Sequence, residues 1–163
     1  MTGWRIGYAA GPKEIIDAIN QLQQYIVFSS SSISQKAALA ALRKSPSKMI
    51  RKYQAKRDTV RKYLEPVFDI FASQGAFYAY IHLPDGIDDL TFCTAASKNG
   101  VVVLPSRAFS QRTDYVRIAF GVKHSDLMLG LKRIRQTYDQ LFELRTELAG
   151  YQMIADKLET GLN

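Results

Sequence analysis

Phe77-Tyr-Ala-Tyr-Ile-His-Leu83 decides the fold class, because its apolar residues recur at every second position. A period of two is typical of a strand with one buried face. Tyr115-Val-Arg-Ile-Ala-Phe120 repeats the pattern and places Arg117 on the face opposite its apolar neighbours. Val101-Val-Val-Leu104 predicts a further strand. These segments predict a small, mostly antiparallel sheet with helices on one side.

Helical spacing dominates the rest of the chain. A strand at Arg5–Gly11, a turn and a helix after Pro12 are predicted first, and a serine loop at residues 29–32 precedes a second helix. A long basic helix then runs to Pro66. Ser125 is the predicted cap of a final helix. The first helix has one predicted buried stripe, made of Ile15, Ile19, Leu22 and Ile26. The final helix has an apolar seam, made of Leu127, Leu131, Ile134, Tyr138, Leu141 and Leu148.

The predicted fold class is α/β with an α+β small domain. The small sheet is covered by helices, and a long bridging helix and a long C-terminal helix complete it. After Gly150 the sequence still offers Tyr151, Ile154 and Leu158, which are expected to pack on a partner chain or fold back.

Composition excludes several classes of protein. The 163 residues are 47% hydrophobic and 23% charged, which is typical of one globular domain and neither disordered nor fibrous. Cys93 is the single cysteine, so an intrachain disulfide and a thiol-rich metal site are excluded and a cytoplasmic location is expected. The sequence has no apolar stretch long enough to span a membrane and no secretory signal pattern.

The net charge of +7 raises the question of a nucleic-acid partner. Its cations concentrate in one helix, without interleaved exposed aromatic residues, which favours a solvated bridging helix over a nucleic-acid groove. These cations are Lys48, Arg51, Lys52, Lys56, Arg57, Arg61 and Lys62.

Met1-Thr-Gly-Trp-Arg-Ile-Gly-Tyr8 is the most specific motif, and it continues into Gly11-Pro-Lys-Glu-Ile-Ile16. It resembles the segment that follows the cofactor lysine in pyridoxal-phosphate aminotransferases of the aspartate aminotransferase type, fold type I. The resemblance covers residues 1 to about 135. Further pieces follow in the family's order: Gln35–Leu42, Arg57-Asp58, Gly75–Tyr78, Gly100–Pro105 and Tyr115–Ile118.

The resemblance implies roles for two arginines. Arg5 matches the arginine that pairs with the cofactor phosphate, and Arg117 matches the arginine that receives the substrate α-carboxylate. A guanidinium offers a planar, permanently charged fork to either anion. The alternatives are a surface cation for Arg5 and an exposed strand arginine in an ion pair for Arg117. Phe77 and Tyr78 are expected in the core.

The resemblance also implies what these residues lack. The Schiff-base lysine of the family would lie before Met1, so no catalytic residue is assigned and the isolated chain is expected to be inactive. Residues 1–45 would belong to the large cofactor-binding domain, 46–66 to the bridging helix, and 67–163 to the small domain with its helical tail. Amino acid and 2-oxo acid substrates and a homodimer are implied. The alternative is a non-catalytic remnant or dimerisation module.

Three local features complete the prediction. Pro105-Ser-Arg-Ala-Phe-Ser110 departs from the family pattern Pro-Gly-x-x-Phe-Gly, which puts the local backbone geometry in question. Arg107 and Arg112 are either entrance residues or solvated loop cations. His82 and His124 lack neighbours at ligand spacing, so a structural or exposed position is expected and no metal site is predicted.

Overall fold

The computed structural model describes the backbone of residues 1–71 and 73–160, and their side chains except at 147 and 150–160. Contacts divide the chain into two units: Met1–Lys48 forms the first, and the second begins at Met49. No helix among the described residues has the length and apolar character needed to cross a membrane.

The first unit consists of a short 3-10 turn and two helices. The turn is Thr2–Trp4, helix α1 is Lys13–Ile26 and helix α2 is Ser32–Leu42. Pro12 directly precedes α1, and the side chain of Ser31 caps α2 by accepting a hydrogen bond from the Ser34 N–H at 3.4 Å. The predicted helix after Pro12 and the capping role of the serine loop are confirmed.

Two expectations for the first unit are wrong. Residues 5–12 form no strand, because a strand needs a neighbour for its backbone hydrogen bonds and the described residues supply none there. The apolar stripe of α1 is not buried: Ile15 is 56% exposed, Leu22 61% and Ile26 73%. Helical spacing identifies the side that needs cover, but a single helix cannot provide that cover.

The second unit contains a four-stranded sheet and three helices. Helix α3 begins at the end of the first unit and continues into the second. All neighbouring strands are antiparallel, in the order β1-β2-β4-β3. The elements in chain order are α3 (Ser47–Leu64), β1 (Asp69–Ile70), β2 (Tyr78–His82), α4 (Asp89–Lys98), β3 (Leu104–Pro105), β4 (Tyr115–Ala119) and α5 (His124–Thr160).

The core lies between one face of the sheet and the three helices. Every second residue of β2 and β4 is buried, and the intervening residues are partly exposed on the opposite face, which we call the open face. The predicted fold class, with its small antiparallel sheet, bridging helix and long C-terminal helix, is confirmed. The core residues that meet here are Ala79, Ile81, Val116, Ile118, Val60, Leu64, Phe92, Ala96, Leu127, Leu131 and Ile134.

Some boundaries differ from the predictions. The strand expected at Val101–Leu104 pairs only at Leu104–Pro105, although its partner β4 continues to Ala119. Strand β1 and helix α4 were not predicted. Ser125 is not the cap, since α5 already begins at His124.

Helix α5 buries only the first part of its apolar seam. Leu127, Leu131 and Ile134 are at most 5% exposed, whereas Leu148 is 67% exposed. The side chains of Tyr151, Ile154 and Leu158 lie outside the described residues, so the expectation for the tail stays a prediction.

Candidate functional site

Arg5 directly follows the 3-10 turn of the first unit. Its backbone is left-handed, with φ 50° and ψ 46°, a conformation that costs a non-glycine residue about 1–3 kcal/mol. The preceding carbonyl, that of Trp4, accepts a hydrogen bond from the Ser34 hydroxyl at 3.1 Å and so ties the turn to α2. The Arg5 side chain is exposed, and no carboxylate of the described residues lies within 4.0 Å of it.

A groove of about 930 Å³ lies in the same unit, between the N-terminal segment and α2. Its walls are mainly apolar and include Ile6, Tyr8, Leu39 and Leu42. Arg5 is not among the lining residues. The groove therefore does not form the phosphate site implied for Arg5.

Arg117 lies in the middle of β4 in the second unit. Its neighbours across the sheet are Tyr80 on β2 and Leu104 on β3. Alternation along β4 sends its side chain to the open face, where it is half-buried. The guanidinium carbon lies 3.9 Å from the ring centroid of Phe109 and 4.4 Å from that of Tyr78. Both distances are within the range of cation–π contacts.

Arg117 has no ion pair with any carboxylate of the described residues within 4.0 Å. The alternative role, an exposed strand arginine held in an ion pair, therefore lacks its partner in the described part of the chain. The guanidinium instead lies against two rings with hydrogen-bond donors at its edge. This arrangement suits an anion that approaches along the open face.

Arg112 contacts the same face of the sheet but is already paired. Its Nε lies 2.9 Å from Asp114 Oδ1, and its terminal nitrogen lies 2.5 Å from Asp114 Oδ2. The guanidinium carbon lies 4.7 Å from the ring centroid of Tyr115. The hydrogen bonds from Arg112 lower the pKa of Asp114 to about 2. Tyr115 in turn stacks on Tyr80, with centroids 4.8 Å apart.

Arg107 is paired as well. Asp89, the first residue of α4, is fully buried and accepts hydrogen bonds from the Arg107 backbone N–H at 2.9 Å and from its Nε at 2.7 Å. Burial alone would raise the pKa of Asp89, but the hydrogen bonds from Arg107 and Ser106 outweigh it and lower the pKa below its ordinary value. Arg107 and Arg112 are therefore loop cations paired with carboxylates, with side chains that are 38% and 59% exposed, and their place at a substrate entrance stays a prediction.

The other titratable candidates have structural surroundings. His82 Nε2 lies 3.4 Å from Asp114 Oδ2, and His124 is exposed at the start of α5. Burial raises the pKa of the Cys93 thiol to about 11. In the part of the chain that the structure describes, no cluster of three or more His, Cys, Asp or Glu side chains could hold a metal ion.

The basic helix α3 is partly tied to its own unit. Lys56 is buried and donates a hydrogen bond to the carbonyl of Val122. Arg61 pairs with Glu65 one turn further along, with 2.6 Å between Nε and Oε1. Part of the positive charge therefore stabilises the junction of α3 with the loop before α5.

Sequence reasoning missed two residues that contact Arg117, Tyr78 and Phe109, and a third, Asp89, that holds the neighbouring turn. Tyr78 was expected in the core, yet its ring lies against Arg117, and the alternation of β2 already contained the signal because it separates Tyr78 from Ala79. Phe109 and Asp89 gave no local signal, since their roles depend on contacts with residues eight and eighteen positions away.

The comparisons with known proteins agree on one family. The protein-family model described as aminotransferase class I and II matches residues 1–134 of this chain. A probable aspartate aminotransferase from Methanocaldococcus jannaschii is 30% identical over 149 residues, which is 85% of this chain and 40% of that protein. An aspartate aminotransferase from Rhizobium meliloti is 33% identical over 159 residues, which is 86% of this chain and 38% of that protein.

A solved structure shows the same similarity in three dimensions. The aspartate aminotransferase from Thermotoga maritima superposes with a TM-score of 0.72 at 27% identity, covering 85% of this chain and 37% of that one. The chain thus spans about two fifths of the length of the relatives it matches.

Proposed function

The chain belongs to the class I and II aminotransferase family, and from this premise we propose that the protein containing it transfers an amino group between an amino acid and a 2-oxo acid. Arg117 carries this proposal. Its guanidinium lies half-buried on the open face of the sheet, against Phe109 and Tyr78, without an ion pair among the described residues. A guanidinium in these surroundings can bind the α-carboxylate of a substrate by donating two parallel hydrogen bonds to its oxygens.

The contribution of Arg117 is orientation. Two parallel N–H···O bonds define the plane of a carboxylate as well as its position. A substrate held by its α-carboxylate has its amine or keto carbon at a defined distance and direction from the Arg117 guanidinium. Holding the reacting group in this way lowers the entropic part of the barrier.

Arg5 is proposed to bind the phosphate of pyridoxal phosphate. Its side chain fits this role because it is exposed and has no carboxylate within 4.0 Å among the described residues. The strained backbone at Arg5 agrees with a functional position. When bound, the cofactor supplies the electron sink for the bond changes at the substrate's α-carbon.

The proposal extends to the organisation of the whole protein. Residues 1–45 belong to the large domain, 46–66 to the bridging helix and 67–163 to the small domain with its helical tail. The whole enzyme is a cytoplasmic homodimer. The 163 residues alone do not transaminate, because the Schiff-base lysine that the family resemblance requires has no counterpart among them.

A second candidate function is a non-catalytic module that associates with itself. The exposed stripe of α1 favours it, as do Phe142 and Leu148 on α5, which are 50% and 67% exposed. Apolar surface of this kind promotes association. Sedimentation of the 163-residue chain as a monomer at high concentration would exclude this candidate.

Carboxylate binding tests the first candidate directly. In the ¹⁵N-arginine-labelled chain, acetate and aspartate should shift the Nε–Hε resonance of Arg117, which is assigned by its loss in Arg117→Lys, in a saturable way. Arg112→Lys is the matched control, because Arg112 is already occupied by Asp114. An Arg117 resonance that acetate and aspartate leave unmoved, or whose shift is lost in Arg112→Lys, would refute the assigned role.

Turnover tests the statement about the isolated chain. The homogeneous 163-residue protein is incubated with pyridoxal phosphate, aspartate and 2-oxoglutarate, and glutamate is measured. No glutamate above the cofactor-only background is expected. Steady turnover would contradict the proposal that the lysine lies elsewhere.

A further inference from the structure

Phe109 is held beside Arg117 although the core does not hold it. Its side chain is 51% exposed, so burial does little to fix its position. Its location depends instead on the turn that follows β3. In that turn the N–H groups of Phe109 and Ser110 both donate to the carbonyl of Ser106, at 2.9 and 3.0 Å.

Ser106 attaches this turn to the rest of the unit. Its hydroxyl is fully buried and lies 3.2 Å from Asp89 Oδ2 and 2.7 Å from the carbonyl of Arg112. The next residue, Arg107, gives Asp89 two further hydrogen bonds, one from its backbone and one from its Nε. One buried carboxylate therefore lies within hydrogen-bond distance of two consecutive residues of the turn.

Asp89 is itself held from a second side. Its backbone N–H donates to the carbonyl of Thr113 at 2.7 Å, and helix α4 begins at this residue. The side chain of Asp88, the cap of α4, accepts a hydrogen bond from the Thr91 N–H at 2.8 Å and lies 3.3 Å from the Arg107 guanidinium. The start of α4 and the turn are thus joined as one polar cluster.

This anchoring accounts for the serines of Pro105-Ser-Arg-Ala-Phe-Ser110. Among the described residues, positive φ angles at non-glycine positions occur at Arg5, Phe28 and Ala76, and so not in this turn. The turn therefore does not need glycine. The Ser110 hydroxyl donates to the carbonyl of Ser106 within the turn at 3.3 Å, and the Ser106 hydroxyl donates to the carbonyl of Arg112 beyond it at 2.7 Å.

We propose that Asp89, acting through Arg107, is a positioning residue that holds Phe109 against the Arg117 guanidinium. The guanidinium is thereby held in one orientation before a carboxylate binds. The inference rests on the proposed role of Arg117. Arginine side chains lose considerable rotamer freedom when they are held in one conformation. A ring that restricts the guanidinium before the ligand arrives removes part of that cost from binding.

The expected size of the effect follows from the contact itself. Cation–π contacts at partly exposed positions contribute enough to change an equilibrium about two- to fivefold. Loss of Phe109 from its position should therefore weaken carboxylate binding at Arg117 by about this factor. The contact with Tyr78 remains, so binding is weakened and not abolished.

The test uses the ¹⁵N-arginine-labelled 163-residue chain, with the Arg117 Nε–Hε resonance assigned through Arg117→Lys. In the unaltered chain, the ring of Phe109 should displace this resonance from the position of a free arginine and slow rotation about the Nε–Cζ bond. Phe109→Leu, which keeps the bulk but removes the ring, should move it toward the free position. Asp89→Asn should also move the Arg117 resonance toward the position of a free arginine, because it loosens the turn that carries Phe109.

Matched variants separate anchoring from general damage. Arg112→Gln removes another paired arginine of the same loop, one that does not contact Asp89, and should leave the Arg117 resonance in place. If Asp89→Asn fails to fold, Arg107→Lys replaces it, since a lysine keeps the charge near Asp89 but loses the Nε contact. Unchanged methyl resonances of Val116 and Ile118 report an intact sheet.

The outcomes distinguish the inference from the proposed function. Movement of the Arg117 resonance in Asp89→Asn or Arg107→Lys, with none in Arg112→Gln, supports anchoring. An unmoved resonance in the folded Asp89 and Arg107 variants, or in Phe109→Leu, overturns it. If anchoring is seen but acetate shifts no Arg117 signal, the positioning contact stands and the carboxylate role of Arg117 is refuted.

Discussion

The substitution Asp89→Asn should destabilise the second unit by about 2–3 kcal/mol at pH 7. Asp89 accepts hydrogen bonds from Arg107 N–H and Nε, and Ser106 Oγ lies 3.2 Å from the same carboxylate. Asparagine keeps one acceptor oxygen and presents an NH₂ group to the remaining donors. Hydrogen bonds to a charged group contribute about 1.5–3 kcal/mol each. Because the Arg107 side chain is 38% exposed, water compensates part of the loss.

The destabilisation should also depend on pH, in a direction that the lowered pKa of Asp89 defines. A carboxyl whose pKa is lower in the folded state stabilises the fold above its unfolded pKa, near 3.8, and loses this contribution as the pH falls through the folded value. Asparagine does not titrate. The difference between the two proteins should therefore be complete at pH 5 to 7 and shrink below about pH 4.

Urea unfolding at pH 7, 5 and 3, followed by far-UV circular dichroism, measures both quantities. Tryptophan fluorescence is unsuitable, since the single tryptophan, Trp4, lies in the first unit. Asp69→Asn is the control, because Asp69 is exposed and its replacement should change stability by less than about 0.5 kcal/mol. A destabilisation by Asp89→Asn that is below about 0.5 kcal/mol, or equal at pH 3 and pH 7, would refute the reasoning.

Three further predictions concern other residues of the second unit. Phe92→Ala should cost about 3–5 kcal/mol in urea unfolding, because Phe92 is fully buried, whereas Leu90→Ala, at a 45% exposed position, should cost far less. Because the pKa of Cys93 is raised to about 11, only about one molecule in a thousand carries the thiolate at pH 8. Iodoacetamide should therefore label Cys93 slowly in the folded chain and faster in urea, and equal labelling rates in the folded and unfolded chain would contradict this. The Asp114 carboxyl should titrate near pH 2 by NMR, and Arg112→Gln should raise that midpoint toward 3.8; an unmoved midpoint would exclude Arg112 as the cause.

Helix α5 extends beyond the part of the chain that the family model matches. The match ends at residue 134, and the helix continues to Thr160. Leu127, Leu131 and Ile134, which precede that limit, are buried in the core, whereas Leu148 is exposed. Beyond residue 134 the seam still packs against the core through Tyr138 and Leu141 and then becomes exposed at Leu148.

The sequence by itself determined that the residues of β2 and β4 alternate between the core and the open face. The alternation in residues 77–83 and 115–120 placed Arg117 on the open face, because side chains of a strand alternate whatever the strand's partners are. The spacing of apolar residues located α1 and the buried start of α5. The motif around Arg5 pointed to the family that the comparisons show.

Only the tertiary structure decided what surrounds Arg117. Its approach to Tyr78 follows from the register of β2 against β4, and its approach to Phe109 follows from a turn anchored eighteen residues away at Asp89. Periodicity is local, so it specifies the side of an element on which a residue lies. Pairing between distant residues depends on how the elements are arranged, and a buried carboxylate selects its partners only when the folded chain brings their donors within hydrogen-bond distance.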